Sequence, residues 1–373
     1  MSLQIHEKWM RKALALASKG KYSTAPNPMV GACVVKNGKL IASGFHKEFG
    51  GPHAERMALE KIGKKAVGAT LYVTLEPCST WQKTPPCASL IVEKKIKKVV
   101  IGSLDPNPLN RQKGVRYLRR CGVKVEVGVL EGEVREQNKG FFTVMTAKRP
   151  FVTLKMAETL DGKIATHNGS SRWVSSSKSR EFVHQLRTEQ DAVLVGANTF
   201  YADNPRITAP SGAECLVHGK PWKIIMISDK TWTSKARIFE DDRLTILVFA
   251  ASKAKSVMKT VNKIKRSFTL LPVKDKKGRI DIAELLKKLA ALGITKLLVE
   301  GGGELAWSFI KAGCVDCAIW IIAPKVFGGR DAKTSVEGDG VTLPAQAYSF
   351  STENVTRSGE DWIFEGTFRK GKR

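Results

Sequence analysis

One histidine, one glutamate and two cysteines are the residues of this chain best suited to chemistry. His53 and Glu55 follow a Gly-Gly-Pro break, while Cys78 and Cys87 each come directly after a proline. An imidazole and two thiolates form a ligand set for tetrahedral zinc, and three protein ligands leave a fourth position open for water. Glu55 is close enough in sequence to move protons without binding the metal. We therefore predict a zinc site that activates water for hydrolytic deamination.

Short-range patterns predict the elements that hold these four residues. A helix begins at His53, an apolar strand over residues 70–75 leads to Cys78, and a second helix begins at Cys87 after two prolines. The start of a helix holds a ligand rigidly, and its N-terminal dipole stabilises a thiolate. The predicted metal site therefore lies where one strand ends and two helices begin.

The rest of the first half alternates between strands and helices. An Asn37-Gly38 pair between two apolar runs predicts a β-hairpin. The predicted strands cover residues 30–35, 40–44, 70–75, 99–102 and 123–127, and the predicted helices cover residues 5–19, 53–62, 87–95, 115–121 and 131–145. This alternation favours a sheet enclosed between layers of helices.

The second half follows a break at residues 146–150 and has the pattern of another α/β domain. Its predicted strands cover residues 151–156, 192–195, 224–227, 244–249, 268–271 and 296–299, and its predicted helices cover residues 177–188, 252–265, 281–292 and 305–311. It shows no internal repeat of the first half. We place the two domains at residues 1–147 and 148–373.

The strand at residues 296–299 carries the clearest motif of the second half. It is followed by Glu300, by Gly301-Gly302-Gly303 and then by a helix. Glycines at the start of a helix present backbone N–H groups and the positive end of the helix dipole, an arrangement that binds phosphate. An ordinary tight turn is the alternative, because the motif is not a Rossmann fingerprint.

Length and composition limit the class of protein. A chain of 373 residues with 42% hydrophobic and 8% aromatic residues is typical of a globular protein of two domains. No apolar run is long enough to cross a bilayer, and residues 1–12 lack the apolar core of a signal peptide, so a cytoplasmic location is expected. The seven cysteines are scattered and do not indicate a disulfide framework.

The formal net charge of +27 comes from 62 basic and 35 acidic side chains. Residues 1–148 hold 26 of the basic and 11 of the acidic side chains, so both halves share the excess. Nucleic acid, phosphorylated ligands and a lysine-rich surface each account for such a charge. Basic clusters such as residues 94–98 lack interleaved aromatic residues. We therefore expect no nucleic acid and no membrane among the partners.

The whole chain resembles the bifunctional riboflavin-biosynthesis deaminase–reductases. The deaminase motifs are Asn27-Pro28-Met29-Val30-Gly31, His53-Ala54-Glu55, Leu75-Glu76-Pro77-Cys78-Ser79, Thr84-Pro85-Pro86-Cys87 and Asp105-Pro106-Asn107-Pro108. The reductase motifs are Leu154-Lys155, Leu160-Asp161-Gly162-Lys163, Ser171-Arg172-Trp173, Leu186-Arg187, Asp203-Asn204-Pro205 and Val299-Glu300-Gly301-Gly302. These motifs follow the order of the family over nearly all of the chain.

The resemblance implies an α/β protein in which an N-terminal cytidine-deaminase-like three-layer domain is followed by a dihydrofolate-reductase-like domain. The first would use Zn²⁺ to deaminate 2,5-diamino-6-(5-phosphoribosylamino)pyrimidin-4-one. The second would use NADPH to reduce the ribosyl group of 5-amino-6-(5-phosphoribosylamino)uracil to ribityl. A phosphorylated pyrimidine is thus the expected substrate, and a homo-oligomer is the expected assembly.

The resemblance also assigns site residues. In the deaminase it gives the metal to His53, Cys78 and Cys87 and proton transfer to Glu55. In the reductase it gives the cofactor to Ala157, Trp173, Thr199, Asp203, Gly302 and Gly303, and the substrate to Ser171, Arg187, Ile207 and Glu300. By residue type, a guanidinium suits a phosphate and an indole suits a ring. A solvated helix position for Arg187 and a core position for Trp173 are the alternatives.

The sequence departs from the family pattern at two places. Thr80 and Lys83 stand where the family usually has His and Arg between the two cysteines. Lysine keeps a point charge for phosphate but loses the bidentate fork of arginine. In the reductase, Pro210 replaces a usual arginine, although Arg206 lies nearby in sequence. We expect the zinc chemistry to survive both changes and the binding of substrate to differ.

Two other classes of function fit parts of the sequence. A nucleic-acid-acting deaminase would explain the charge, but such enzymes typically space their cysteines C-x-x-C, and eight residues separate Cys78 from Cys87 here. A reductase whose first half only serves as a scaffold is the other. The presence of His53 and Glu55 together with both cysteines argues against it.

Overall fold

The chain divides by its internal contacts into two units, with the change from one to the other between Lys148 and Arg149. The computed structural model describes residues 3–80, 86–207, 221–230, 232, 235–241, 243–264, 266–276 and 278–371. None of the helices in these ranges is long and apolar enough to cross a membrane.

The first unit consists of five strands and six α-helices among its described residues. The strands are β1 (Gly31–Lys36), β2 (Lys39–Phe45), β3 (Thr70–Leu75), β4 (Lys98–Ser103) and β5 (Lys124–Val127). The helices are α1 (Leu3–Ala17), α2 (Ala54–Leu59), α3 (Cys87–Glu93), α4 (Lys113–Arg120), α5 (Glu131–Gln137) and α6 (Lys139–Ala147).

The strands form one sheet in the order β2-β1-β3-β4-β5. β1 is antiparallel to β2 and β3, whereas β3, β4 and β5 are parallel. Asn37 and Gly38, with φ of 50° and 71°, make the predicted hairpin turn between β1 and β2. Alternate side chains of β3 enter two different core clusters, so helices cover both faces of the sheet. The predicted three-layer arrangement is confirmed.

The single helix predicted over residues 131–145 is wrong, because the structure divides it into α5 and α6 at Asn138. The buried Asn138 side chain accepts a hydrogen bond from the Met29 backbone N–H (2.7 Å) and donates one to the Met29 carbonyl (3.1 Å). These two bonds fix Asn138 outside helical geometry, with φ of −114°. A contact across 109 residues of sequence thus interrupts a pattern that is helical on both sides.

The second unit contains eleven strands and five α-helices among its described residues. The strands are β6 (Phe151–Thr159), β7 (Ala192–Val195), β8 (Trp222–Met226), β9 (Thr245–Ala250), β10 (Thr269–Val273), β11 (Asp275–Lys276), β12 (Arg279–Ile280), β13 (Lys296–Glu300), β14 (Cys317–Ala323), β15 (Tyr348–Ser358) and β16 (Asp361–Lys370). The helices are α7 (Ser177–Thr188), α8 (Ala197–Asp203), α9 (Ala254–Val261), α10 (Ile282–Ala291) and α11 (Gly303–Lys311).

Nine of these strands form one sheet in the order β10-β9-β8-β7-β13-β6-β14-β16-β15. The strands from β10 to β14 are parallel, and β16 and β15 add an antiparallel edge. β13 lies between β6 and β7, which are consecutive in sequence. The carboxyl ends of these three neighbours, where ligands of open α/β sheets bind, therefore carry the loops of the candidate site.

Helix α8 and the hairpin of β15 and β16 were not among the predicted elements. α8 has seven residues, including Asn198, Thr199 and Phe200, which are weak helix formers. β15 is polar and mostly exposed, since it lies at the edge of the sheet, so it lacks an apolar alternation. Both elements depend on the sheet beside them rather than on their own sequence pattern.

Candidate active sites

The predicted zinc ligands come together at the end of β3. His53 is the residue before α2, Cys78 follows β3, and Cys87 is the first residue of α3. The His53 Nδ1 atom lies 3.5 Å from the Cys78 Sγ atom and 3.4 Å from the Cys87 Sγ atom. All three ligand atoms lie within 4.8 Å of one another. The structure therefore brings the three side chains to one point.

The donor set and its surroundings fit a zinc ion. The Cys87 backbone N–H, at the start of α3, donates to the Cys78 Sγ atom (3.4 Å), which stabilises a thiolate there. Hydrogen bonds from Cys87 and His53 lower the pKa of the Cys78 thiol. Among the described residues, this is the one group of histidine, cysteine and acidic side chains close enough to hold a metal, and it contains three ligands. Three ligands of this kind leave a tetrahedral position for water or substrate.

Glu55 lies in the first turn of α2 and is not a member of the ligand group. Its side chain is buried, and burial raises the pKa of its carboxyl group to about 7, although His53 acts in the opposite direction. A cation bound nearby favours the ionised form. The position and the pKa of Glu55 suit a group that accepts and returns a proton near neutral pH.

His46 and Asn27 support His53, a predicted zinc ligand, and were not assigned to the site from sequence. The His46 Nδ1–H donates to the carbonyl of Pro52, the residue before His53 (3.0 Å), and its Nε2 accepts from the Asn27 side chain (3.2 Å). The His46 ring also meets the His53 ring edge to face, with centroids 5.6 Å apart. The only sequence signal for this pair was the Asn27-Pro28 motif. His46 belongs to no such motif, and it reaches the site because it directly follows β2.

Glu300 is the centre of an ion-pair network in the second unit. The Arg187 guanidinium donates to both Glu300 oxygens (2.7 and 2.9 Å), and the Lys155 ammonium lies 3.4 Å from the carboxylate. Burial alone raises the pKa of Glu300, but Arg187 and Lys155 outweigh it and lower this pKa to about 2. The carboxylate is therefore charged, and Arg187 is paired with it rather than lying on a solvated helix surface.

Lys155 was not assigned a role from sequence, although its motif was noticed. It lies on β6 directly opposite Glu300 on β13. Two residues that are 145 positions apart thus become neighbours through the pairing of two parallel strands. The signal that identifies Lys155 is the strand order, which the sequence pattern does not contain.

The glycine turn after β13 packs against the start of α8. A Cβ atom added at Gly301 would lie 3.4 Å from the Thr199 Oγ1 atom, and one at Gly302 would meet only that atom, at 4.0 Å. At Gly303 it would lie 2.6 Å from the Thr334 carbonyl oxygen and 2.8 Å from the Glu337 backbone nitrogen. Gly303 is therefore required by the packing of the chain itself, whereas Gly302 borders more open space at the start of α11.

Ser171 and Asp203, two further predicted site residues, contact each other. The Ser171 hydroxyl donates to the Asp203 carboxylate (3.5 Å), and Arg172 donates to the Asp203 carbonyl (2.9 Å). Asp203 is the last residue of α8, one turn after Thr199. Trp173 is 63% exposed, and the Arg180 guanidinium lies 4.5 Å from the centroid of its ring. A core position for Trp173 is thereby excluded.

The remaining residues that were singled out from sequence and that the structure describes make none of the contacts reported above. The Ala157 side chain lies beside a small apolar cluster of the α7 face. The Ile207 side chain is only 2% exposed and packs in the core with Phe200, so the structure does not present it as a surface contact. Arg206 is exposed and pairs with Glu240. Lys83 and Pro210 lie outside the described residues.

Comparison with known proteins identifies the families of both halves of the chain. Residues 3–103 match the family model "Cytidine and deoxycytidylate deaminase zinc-binding region", and residues 150–364 match "RibD C-terminal domain". The riboflavin biosynthesis protein RibD of Aquifex aeolicus (strain VF5) is 41% identical over 363 residues, covering 97% of this chain and 98% of the relative. The chain belongs to the RibD family.

Solved structures of RibD proteins have the same fold over their full length. The Acinetobacter baumannii RibD structure (form 2) is 32% identical, with a TM-score of 0.85 and coverage of 98% of this chain and 99% of the other. The Thermotoga maritima structure, of a diaminohydroxyphosphoribosylaminopyrimidine deaminase/5-amino-6-(5-phosphoribosylamino)uracil reductase, is 38% identical, with a TM-score of 0.80 and coverage of 98% and 99%. The fold class and the family predicted from sequence are confirmed.

Membership in the RibD family establishes the general activity. The chain combines a zinc-binding deaminase domain and an NADPH-dependent reductase domain of riboflavin biosynthesis. Its substrates are phosphoribosyl pyrimidines. The nucleic-acid-acting deaminase and the scaffold hypothesis are set aside by this result.

Proposed function

We propose that residues 1–147 deaminate 2,5-diamino-6-(5-phosphoribosylamino)pyrimidin-4-one and that residues 148–373 then reduce 5-amino-6-(5-phosphoribosylamino)uracil. The observation that carries the proposal is the approach of His53, Cys78 and Cys87 to within 4.8 Å, with the buried Glu55 in the adjoining helical turn. The reductase assignment rests on the charged network around Glu300, which lies at the carboxyl end of β13 and opposite Lys155 in the middle of β6.

In the deaminase, His53, Cys78 and Cys87 hold the zinc. A bound zinc ion supplies Lewis acidity that makes water reactive near neutral pH. Glu55 accepts a proton from the attacking water and returns it to the amino nitrogen of the substrate. A C–O bond forms, the C–N bond breaks, and ammonia leaves, so one water is consumed for each amine released.

The cofactor side of the reductase is assigned to the surface between α8 and the glycine turn. We assign NADPH to Ala157, Trp173, Thr199, Asp203, Gly302 and Gly303. The exposed Trp173 ring offers a flat face, and the start of α11 offers N–H groups for phosphate. NADPH supplies a hydride, which together with a proton converts the ribosyl group to an open ribityl chain.

The substrate side is assigned to Ser171, Arg187, Ile207 and Glu300. Glu300 is held as a carboxylate by Arg187 and Lys155, which makes it a fixed acceptor for sugar hydroxyls. For Arg187 the bidentate pair supports a positioning role beside the substrate. For Ile207 the backbone, whose carbonyl accepts from Arg243, is a better candidate than the buried side chain.

The assembly and the location of the enzyme stay predictions. We propose a cytoplasmic homo-oligomer without nucleic-acid partners. The support is the sequence alone, since the basic clusters lack interleaved aromatic residues and the cysteines do not form a disulfide pattern.

Two separate assays on one preparation test the proposal. Purified chain should contain about one zinc, release ammonia from the diaminopyrimidine, and oxidise NADPH with either the diaminopyrimidine or the deaminated uracil as substrate. Cys78→Ser should lose zinc and deamination while it keeps reduction, which serves as the internal control. Deamination by a zinc-free Cys78→Ser variant, or a chain that performs neither reaction, would contradict the proposal.

A further inference from the structure

Thr80, which stands where the family usually has histidine, joins two loops of the deaminase. Its hydroxyl donates to the Asn110 side-chain carbonyl (3.0 Å), and the Asn110 amide donates in turn to the Asp105 carboxylate (3.0 Å). Asp105 and Asn110 are 5% and 7% exposed, so the bond between them is shielded from water, and the half-buried Thr80 extends it. The threonine therefore has a defined partner within the protein.

Glu76, on the other side of Cys78 from Thr80, also connects the loop after β3 to the chain after β4. Its carboxylate accepts from the backbone N–H groups of Asp105 (3.2 Å), Gln112 (2.9 Å) and Val115 (3.1 Å). The side chain of Glu76 is buried. Two anchors, at Glu76 and at Thr80, thus flank the zinc ligand Cys78 and tie it to residues 105–110.

The location of these loops connects the network to substrate. The first loop follows β3 and the second follows β4, and Leu75 pairs with Ser103 at the ends of these parallel strands. The zinc group lies at this same edge, where ligands of such sheets bind. When the pyrimidine ring meets the metal, the phosphoribosyl group must rest on neighbouring loops, and residues 105–110 are the next ones along the sheet.

We propose that Thr80 is a positioning residue of the deaminase, which holds residues 105–110 through Asn110 as a wall for the phosphoribosyl group. The inference rests on the proposed deaminase function. Thr80 acts through Asn110, so it affects how well substrate binds and not the proton transfer at Glu55. Serine retains the hydroxyl that makes the bond, whereas valine has the shape of threonine without it.

Thr80→Val should therefore raise the KM for the diaminopyrimidine about 2- to 12-fold, the usual effect of one neutral hydrogen bond, with kcat nearly unchanged. Thr80→Ser should restore a KM near that of the parent. Thr70→Val is the matched control, because Thr70 lies at the opposite end of β3 and makes no side-chain hydrogen bond to the described residues. The control should leave KM unchanged.

A double-mutant cycle tests the route through Asn110. Asn110→Ala removes the partner, so adding Thr80→Val to it should not raise KM further. Zinc content and the rate of the reductase reaction, measured on each preparation, confirm that the variants are folded and loaded.

Three results would overturn the inference: an unchanged KM in Thr80→Val, an equal rise of KM for Thr80→Val with and without Asn110, or a loss confined to kcat. If Thr80→Val does not fold, the KM values of Thr80→Ser and Asn110→Ala still test the inference. The KM of Thr80→Ser must match that of the parent, and the KM of Asn110→Ala must be raised. A parent enzyme without deamination would refute the proposed function instead.

Discussion

Replacement of Glu300 by glutamine should lower the stability of the second unit by an amount that depends on pH. The carboxylate is 8% exposed and lies between Arg187 and Lys155. Glutamine keeps the shape of the side chain but removes its charge, so two buried cations then face a neutral amide. Removal of one partner from a buried ion pair typically costs about 3–5 kcal/mol.

The pKa of Glu300 gives an independent magnitude. Its pKa falls from 4.5 to about 2 on folding, because Arg187 and Lys155 outweigh the effect of burial. A difference of about 2.5 units at about 1.36 kcal/mol each corresponds to about 3 kcal/mol of stability. Since the folded pKa is the lower one, this stability is fully present above about pH 5 and is lost as the pH falls toward 2.

Denaturant unfolding followed by tryptophan fluorescence measures this effect. Six of the eight tryptophans lie within residues 149–373, so the signal reports mainly the second unit. Glu300→Gln should be about 3 kcal/mol less stable than the parent at pH 7, and by the same linkage only about 1.4 kcal/mol less stable at pH 3. The difference shrinks because the parent carboxyl group also becomes neutral in acid.

Glu353→Gln is the matched control, because Glu353 is exposed on β15 and makes no ion pair with the described residues. Its stability should follow that of the parent at both pH values. Equal stability of Glu300→Gln and the parent at pH 7 would refute the reasoning. A difference between them that does not shrink in acid would refute it as well.

Three further predictions concern the deaminase, the glycine turn and the charge. Glu55→Gln should keep one zinc per chain and lose deamination by about 10²- to 10⁴-fold, and a rate within about threefold of the parent would show that Glu55 does not transfer the proton. Gly303→Ala should lower the Tm of the second unit by about 4–8 °C, for an overpacking cost of about 2 kcal/mol, whereas Gly302→Ala should leave Tm unchanged. Equal Tm values for the two variants would contradict the packing of Gly303 against Thr334 and Glu337. Random RNA should bind weakly and dissociate near physiological salt, as a filter-binding salt titration would measure, and a sub-micromolar complex resistant to salt would contradict this.

Much of the local structure follows from short-range pattern. The predicted bounds of β3, α7 and β7 agree with the structure residue for residue, because each is a periodic run bounded by a clear start and stop. The three side chains that come together as candidate zinc ligands were also named from sequence, since only a few residue types bind zinc through nitrogen and sulfur. Their spacing placed each at the start of a helix or the end of a strand.

The reductase site depends on contacts that no local pattern contains. The order of strands inserts β13 between β6 and β7, and this places Lys155 beside Glu300. The position of α7 then decides that Arg187 meets Glu300 through Nε and one terminal nitrogen rather than projecting into solvent. Sequence motifs named Arg187 and Glu300 as members of a site, but they did not assign Lys155 to it or show which cations neutralise Glu300.

The sequence by itself therefore determined the chemistry of the metal and the succession of strands and helices, because ligand type and periodicity are properties of neighbouring residues. Only the tertiary structure decided how charges are paired and where one helical run is interrupted. Asn138 interrupts a helical run because Met29 is beside it, and Glu300 stays ionised because two cations approach it. Such contacts join residues more than one hundred positions apart, and they contribute free energy only after the tertiary fold has brought those residues together.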